Sequence, residues 1–127
     1  KQSAEQVFKV LSEDETDMEK NWNKRYRDNM DKLKTGDIYE VADIVRNLSF
    51  KQKDKGLSTG EQKMLLNAKQ ILVSELVLVE SRDKQEVEEE VENVINTSYE
   101  IHGISNIDGE SNQGTPKIMK KFVTTNS

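Results

Sequence analysis

The chain has 127 residues and a net charge of −5, with 33% hydrophobic and 34% charged residues. This length forms one domain, or one domain plus a tail, and the low apolar share predicts a modest core under a highly charged surface. The sequence has no cysteine, which excludes disulfides and thiolate metal sites. No apolar run approaches the ~20 residues of a membrane span. We expect a cytoplasmic protein and, since KQSAEQVFKVL has no initiator Met, a fragment of something longer.

The first two predicted helices flank an acidic linker. Residues 3 to 11 have apolar side chains at i, i+3, i+4 and i+7, and Ser3 with Gln6 forms a capping box. The linker SEDETDME follows this helix. The second helix spans residues 21 to 34, and Gly36 is its natural stop. Its apolar stripe consists of Trp22, Tyr26, Met30 and Leu33.

Three further helices are predicted after Gly36. The third begins at the N-cap Asp37 and ends at Gly56. The fourth begins at Ser58, where Glu61 completes an S-x-x-E box, and its body MLLNAKQILVSELVLV is apolar on nearly every side. We expect such a helix to be the central one, wrapped by its neighbours. The fifth helix spans residues 84 to 96, with a buried aliphatic stripe and glutamates on its other faces.

The helical periodicity ends at Tyr99. Residues 99–127 are rich in Gly, Ser, Asn and Thr, which predicts a flexible tail with IMKKFV as a short strand or docking segment. Short loops between long helices predict an all-α fold, a compact antiparallel bundle of about five helices. We divide the chain into a joining helix and acidic linker (1–18), a helical domain (19–98) and the tail (99–127).

Charge is distributed unevenly along the chain. Between Lys20 and Lys69 there are 12 Lys and Arg against 7 Asp and Glu, whereas the remaining residues include 7 basic and 17 acidic ones. The basic residues concentrate in KRYR, at 24–27, and in KQKDK, at 51–55. Two interpretations are open: solvated helix faces with i, i+4 pairs, or a patch that binds nucleic acid phosphates.

Trp22 is the only tryptophan, and it lies beside the KRYR segment. It can cap the core, where tryptophan is usually well buried. Alternatively, its ring is partly exposed at the helix start, where an apolar side chain can wedge at a base step in the minor groove while nearby cations hold the phosphates. The residues by themselves leave both interpretations open.

Catalytic chemistry has few candidate residues. His102, the sole histidine, lies in the predicted tail, so a catalytic triad or a histidine metal site would have to be built on a mobile residue. The glutamates between 86 and 92 lack EF-hand spacing, and TGEQK and TGDIYE lack the glycine spacing of a phosphate loop. We expect no enzyme activity, no metal and no cofactor.

An ordered series of motifs resembles the C-terminal helical domain of the CarD (CdnL-type) bacterial transcription regulators. The motifs are NW-x-x-RY, KL-x-x-GD, VA-x-[IV]-VR-x-L, GLS-x-GE and a K-x-[ML]-L…A-[KR]-QIL-V-x-EL helix. The resemblance covers roughly residues 5 to 96. Each motif is weak alone, but their order and spacing together are specific.

The resemblance implies a DNA-binding module. Proteins of this family bind the RNA polymerase β subunit through an N-terminal Tudor-like domain, and their helical domain meets promoter DNA at the upstream edge of the melting bubble. A tryptophan there wedges into the minor groove, and it corresponds to Trp22. The resemblance assigns six residues to DNA contacts: Trp22, Lys24, Arg25, Arg27, Lys51 and Lys55. It also implies a location in the bacterial cytoplasm, at the nucleoid through polymerase.

This sequence departs from the family pattern in two places. The β domain is absent from it, so this chain alone is not expected to bind polymerase in the family manner. A basic position of the family at the start of the fourth helix is Gln62 here, next to Lys63. A rival interpretation is a helical protein–protein interaction module without nucleic acid binding, which recruits its partner through the acidic fifth helix or through IMKKFV.

Overall fold

Residues 3–16 and 20–103 are described by the computed structural model of this protein. They form five α-helices and one π-helical turn, without a strand, which confirms the predicted all-α class. The helices are α1 (Ala4–Ser12), α2 (Trp22–Thr35), α3 (Ile38–Asp54), α4 (Thr59–Glu80) and α5 (Lys84–Ser98). The π-helical turn spans Tyr99–Gly103 and directly continues α5.

Each helix begins at a polar capping residue. The side chains of the five N-cap residues accept hydrogen bonds from backbone N–H groups of the first turn, which otherwise lack a helical partner. These residues are Ser3, Asn21, Asp37, Ser58 and Asp83. The predicted stop at Gly36 is also present, because this residue ends α2 with φ 76, in the left-handed region that favours glycine.

The core lies between α1, α3, α4 and α5, and α3 is its most enclosed helix. Ten of the 17 residues of α3 are buried, and the helix packs against both α1 and α4. α1 adds Val7 and Leu11, which are at most 1% exposed. The helix that we assigned to a joining segment therefore shares one hydrophobic core with α3, α4 and α5.

The prediction that α4 is wrapped on all sides is wrong. Leu66, Ile71, Leu78 and Val79 project from α4 and are between 44% and 76% exposed. Between α2 and α4 lies an open groove of about 720 Å³. An apolar sequence shows that a helix can be enclosed, but whether neighbours reach every face is decided by the packing of the other helices.

Polar side chains of α3 hold the end of α1 and the segment that follows it. Arg46 is fully buried, pairs with Asp43 and donates to the Val10 carbonyl oxygen at 2.6 Å. The Asn47 amide donates to Thr16 Oγ1 at 2.8 Å. Arg46 is one of the 12 basic residues between Lys20 and Lys69, but its charge is paired inside the protein rather than presented at its surface.

The first five residues of the predicted tail form the π-helical turn, and Tyr99 at its start packs against α3. The Tyr99 ring packs edge-on against Phe50 with a centroid distance of 5.3 Å, and its hydroxyl donates to Asp54 Oδ1 at 2.5 Å. Burial, with the added effect of this hydrogen bond, raises the pKa of Tyr99 to about 12. Residues 104–127, including IMKKFV, lie outside the described residues.

Candidate nucleic-acid interface

Three chain segments meet at one end of the bundle: the start of α2, the end of α3 and the start of α4. Trp22 of α2 contacts Ser58 at the start of α4, and Lys51 near the end of α3 reaches Glu61 of α4. Two helix N-termini therefore lie together. Each presents amide N–H groups and a partial positive charge, which favour anions.

Trp22 lies at the surface of this end, not in the core. It is 41% exposed, and its ring stacks on Tyr26 with a centroid distance of 5.1 Å and an interplanar angle of 17°. The indole Nε1 donates to Ser58 Oγ at 3.1 Å. A Cβ at Gly60 would stand 3.6 Å from the Trp22 ring and 3.4 Å from the Tyr26 ring, so the first turn of α4 supports both.

Glu61 lies beneath this ring and connects the three segments. It is 1% exposed, and its Oε2 accepts from Arg25 Nε at 2.8 Å while its Oε1 is 3.7 Å from Lys51 Nζ. Ser58 Oγ donates to Oε1 at 3.4 Å. Burial alone raises the pKa of Glu61. The hydrogen bond and charge of Arg25, with Lys51 and Ser58, outweigh burial and hold this pKa below its ordinary value.

The predicted cations Lys24, Arg27 and Lys55 are exposed. Lys24 forms an i, i+4 pair with Asp28 at 3.3 Å, a surface contact that contributes little to stability. Lys24 and Arg27 lie near the start of α2, and Lys55 directly follows α3. The two basic segments of the sequence are thus on helix ends that meet at the same end of the bundle.

Two predicted DNA contacts are directed into the protein instead. Arg25 is 8% exposed and donates both to Glu61 and to the Lys20 carbonyl oxygen, at 3.2 Å. Lys51 is half-buried and also donates to the Gly56 carbonyl oxygen, at 3.4 Å. Their charges compensate Glu61, which does not fit the role of open, DNA-facing cations. Nothing local to either residue indicates this, because Glu61 belongs to another helix.

Ser58 and Glu61 were predicted only as a capping box, yet Ser58 contacts Trp22 and Glu61 contacts Arg25 and Lys51. The signal that could have found them is the GLS-x-GE motif, in which the glutamate amide completes the cap and its carboxylate stays available for other partners. Capping explains the hydrogen bond from the Glu61 backbone N–H to Ser58. The contacts with Trp22, Arg25 and Lys51 arise because α2 and α3 pack beside the start of α4.

α2 begins with cations where the other helices have an acidic residue. α1, α3, α4 and α5 each have a glutamate in the first turn, whereas α2 has none there and carries Lys24 and Arg25 near its start. A cation near a helix N-terminus opposes the macrodipole, at a cost of about 0.3–1 kcal/mol. The start of α2 is therefore more positive than helix stability alone would favour.

The part of the chain that the structure describes contains no group of three or more metal-binding side chains suited to an ion. Within the same part, no helix is both long and apolar enough to cross a bilayer. His102, set aside in the sequence as a tail residue, is half-buried in the π-helical turn.

Comparison with known proteins identifies the family. The family model "CarD, C-terminal domain" matches residues 6–92, and this chain belongs to that family. A curated protein of Bacillus subtilis (strain 168), named "Putative transcription factor YdeB", is 37% identical to this chain over 81 residues. The match covers 64% of this chain and 53% of that protein, so the chain spans about half the length of its relative. The resemblance given by the motifs is confirmed.

Proposed function

We propose that this chain is the DNA-binding module of a transcription regulator associated with RNA polymerase. It contacts promoter DNA at the upstream edge of the open bubble, with Trp22 in the minor groove. The observation that carries this proposal is the 41% exposed indole, braced by Tyr26 and Ser58 beside exposed cations. Membership of the CarD family and the name of the relative support a role in transcription.

The cations around Trp22 attract the DNA backbone. Lys24, Arg27 and Lys55 are exposed near two helix N-termini, and each phosphate that they neutralise releases condensed counterions. Phosphate contacts orient a protein on the duplex without reading its sequence. Binding by the isolated domain is therefore weak, sensitive to salt and mostly independent of sequence. Arg25 and Lys51 support this surface indirectly, by compensating Glu61.

Trp22 supplies the contact that distinguishes open from closed DNA. Insertion of an apolar side chain at a base step costs a few kcal/mol of unstacking. At the edge of a bubble the bases are already partly unstacked, so insertion costs less free energy there. The ring therefore binds the edge in preference to a paired duplex. Occupation of the edge by the ring then opposes closure of the bubble.

The polymerase contact would be made by an N-terminal domain that binds the β subunit. Joined to the helical domain, it would raise the effective concentration of that domain at the promoter. This tethering makes weak intrinsic affinity sufficient, and it places the protein at the nucleoid in the bacterial cytoplasm.

A titration of labelled DNA tests the proposal. Fluorescence anisotropy compares a duplex that contains a short unpaired bubble with a fully paired duplex, at low and moderate salt. We expect tighter binding to the bubble and a steep loss with salt. Trp22→Ala should weaken bubble binding about ten-fold, since stacking on one base is worth about 1–3 kcal/mol.

The matched control is Leu78→Ala, which removes another exposed apolar side chain, on α4. It should leave DNA binding unchanged. The proposal fails if Trp22→Ala binds both duplexes as the wild type does, or if it unfolds the domain and so places the indole among the core residues.

A protein–protein interaction module is the second candidate. The observation in its favour is the apolar groove between α2 and α4, whose lining includes the exposed side chains of Ile71 and Leu78. Exposed apolar patches often mark interfaces. If the domain binds neither duplex at low salt, this candidate replaces DNA binding.

A further inference from the structure

We infer that Ser58 and Glu61 are positioning residues for Trp22. They keep the indole N–H in a hydrogen bond within the protein, so that Trp22 acts on DNA through its apolar surface alone. The consequence at DNA rests on the proposed function, but the positioning of the ring can be measured without DNA.

The hydrogen-bonding capacity of Ser58 is fully used. A serine hydroxyl donates one hydrogen bond and accepts two. Ser58 Oγ accepts from Trp22 Nε1 at 3.1 Å and from the Glu61 backbone N–H at 3.2 Å, and it donates to Glu61 Oε1 at 3.4 Å. With its hydrogen directed at Glu61, the hydroxyl presents its remaining lone pair to the indole.

The carboxylate that orients this hydroxyl is itself fixed. Glu61 is 1% exposed and is held by Arg25 at 2.8 Å and Lys51 at 3.7 Å. Arg25 lies three residues after Trp22 on α2, so one helix supplies both the ring and the cation that anchors the acceptor. The ring is therefore braced by an ion-pair network that spans α2, α3 and α4.

Two consequences follow for DNA recognition. The indole N–H is the only polar group of tryptophan, and once Ser58 accepts from it, no donor remains for a base edge. Trp22 therefore favours base steps by how easily they unstack and not by their hydrogen-bonding pattern. The ring is also held in its exposed position before DNA arrives, which reduces the ordering cost of binding.

The sole tryptophan makes this orientation measurable. Ser58→Ala should shift the indole emission and increase acrylamide quenching and ring mobility, and Ser58→Thr, which keeps the hydroxyl, should restore the wild-type signal. Loss of an ordinary hydrogen bond changes the equilibrium constant between the hydrogen-bonded and the released indole ring roughly five-fold. Measurements below the unfolding transition keep the domain folded.

Ser3→Ala is the matched control. It removes the same kind of N-cap hydrogen bond, from the Gln6 N–H at 3.1 Å, at the start of α1. The indole signal of this variant should match the wild type. If Ser58→Ala leaves the signal unchanged, or if Ser3→Ala alters it equally, the positioning role is overturned.

A double-mutant cycle on bubble DNA tests the coupling to function. Ser58→Ala should weaken binding about five-fold in the wild type but not in Trp22→Phe, which has no N–H to hold. An equal loss in both backgrounds would mean that the hydroxyl acts only as a helix cap, which contradicts the inference. If the spectra change as expected while Trp22→Ala binds bubble DNA normally, the positioning stands and the proposed wedge fails.

A modified base tests the claim about the N–H group. 3-Deazaadenine at the bubble edge removes the minor-groove N3 acceptor that an indole donor would use. Affinity should stay within about two-fold of that for adenine, the margin expected when no hydrogen bond is lost. A larger loss that disappears in Trp22→Phe would show that the indole reads the base, and the inference would fall.

Discussion

At the residue scale, the carboxylate of Glu61 meets cations from two other helices. Arg25 of α2 is 2.8 Å away and Lys51 of α3 is 3.7 Å away, and the carboxylate is nearly inaccessible to water. The net stabilisation by a buried ion pair is small, because desolvation offsets attraction, but removal of one partner leaves the other charge uncompensated. Glu61 thus holds two basic residues of the sequence, Arg25 and Lys51, in contacts inside the protein.

Glu61→Gln should destabilise the domain at pH 7 by about 3 kcal/mol, because Arg25 loses its buried counter-charge. Since the pKa of Glu61 lies below its ordinary value of 4.5 in the folded protein, the ionised carboxylate stabilises the fold above that pH. This contribution is lost as the pH falls through the folded pKa. The difference in free energy of unfolding between variant and wild type, measured in urea, should therefore become smaller from pH 7 towards pH 3.

Glu75→Gln is the matched control for this experiment. Glu75 lies on the same helix, α4, is partly exposed and has no ion pair among the described residues. It should change neither the stability at pH 7 nor its pH dependence by more than about 0.5 kcal/mol. If the difference in free energy of unfolding between Glu61→Gln and wild type stayed constant across the pH range, the stabilising charge would not be that of Glu61.

At the element scale, most helix ends have the residues that stabilise isolated helices, and two do not. Most of them follow the preferences of isolated helices, with polar N-caps, glutamates in the first turn and a glycine after α2. Two ends depart from those preferences. α2 begins with cations, and α4 is followed by the C-cap Ser81, a non-glycine residue with φ 53 and ψ 46. The first departure accompanies the candidate interface.

Ser81→Gly should stabilise the domain by up to about 1 kcal/mol. Left-handed backbone costs an L-residue roughly 1–2 kcal/mol, and glycine avoids this cost while losing some entropy. Thermal unfolding measures the change. Gly36→Ala, at the left-handed end of α2 with φ 76, should show the opposite sign. A decrease in stability for Ser81→Gly would indicate that the serine side chain has a favourable contact.

Asn23→Glu should change stability and DNA binding in opposite directions. Asn23 is exposed in the first turn of α2, where an added carboxylate complements the helix N-terminus and stabilises the fold by about 0.3–1 kcal/mol. The same charge beside Trp22 should repel phosphates and weaken binding to bubble DNA. Asn23→Gln lengthens the side chain without adding charge, so it distinguishes the effect of charge from the effect of side-chain size. Unchanged DNA affinity for Asn23→Glu would argue against this end of α2 as the contact surface.

At the scale of the whole molecule, α3 is enclosed and α4 presents two different faces. One face of α4 packs on α3 and α5, and the opposite face carries exposed apolar side chains along the groove beside α2. The distinction is sharp between near neighbours in sequence, since Leu76 is 1% exposed and Leu78 is 76% exposed. Hydrophobicity therefore says little about the importance of an individual α4 residue for stability.

Leu76→Ala and Leu78→Ala form a matched pair for this point. Truncation of the buried Leu76 should cost about 2–5 kcal/mol, through lost burial and a residual cavity. Truncation of Leu78 should change stability by less than about 0.5 kcal/mol. Urea unfolding of the isolated domain distinguishes them. Comparable losses would mean that the outer face of α4 is covered, for example by self-association, which gel filtration over a range of concentrations would reveal.

Much of the architecture was predictable from local sequence. The capping box at Ser58, the stop at Gly36 and the spacing of apolar residues depend on interactions within a few positions of the chain, so periodicity and cap chemistry place the helices to within a residue or two. The order of motifs also identified the family. The exposed tryptophan followed only from that resemblance, because the stripe of α2 taken alone favours a core position, where tryptophan is usually buried.

Only the tertiary structure decided which charged and apolar side chains face water. Arg25 and Glu61 are separated by 36 positions, and nothing near either residue in the chain indicates that they meet. The same holds for Arg46 with Val10, and for the outer face of α4. Local sequence selects backbone conformation through short-range hydrogen bonds and steric preferences. The environment of a side chain depends instead on how separate helices pack, and at one end of this bundle that packing leaves a braced indole exposed above a buried ion pair.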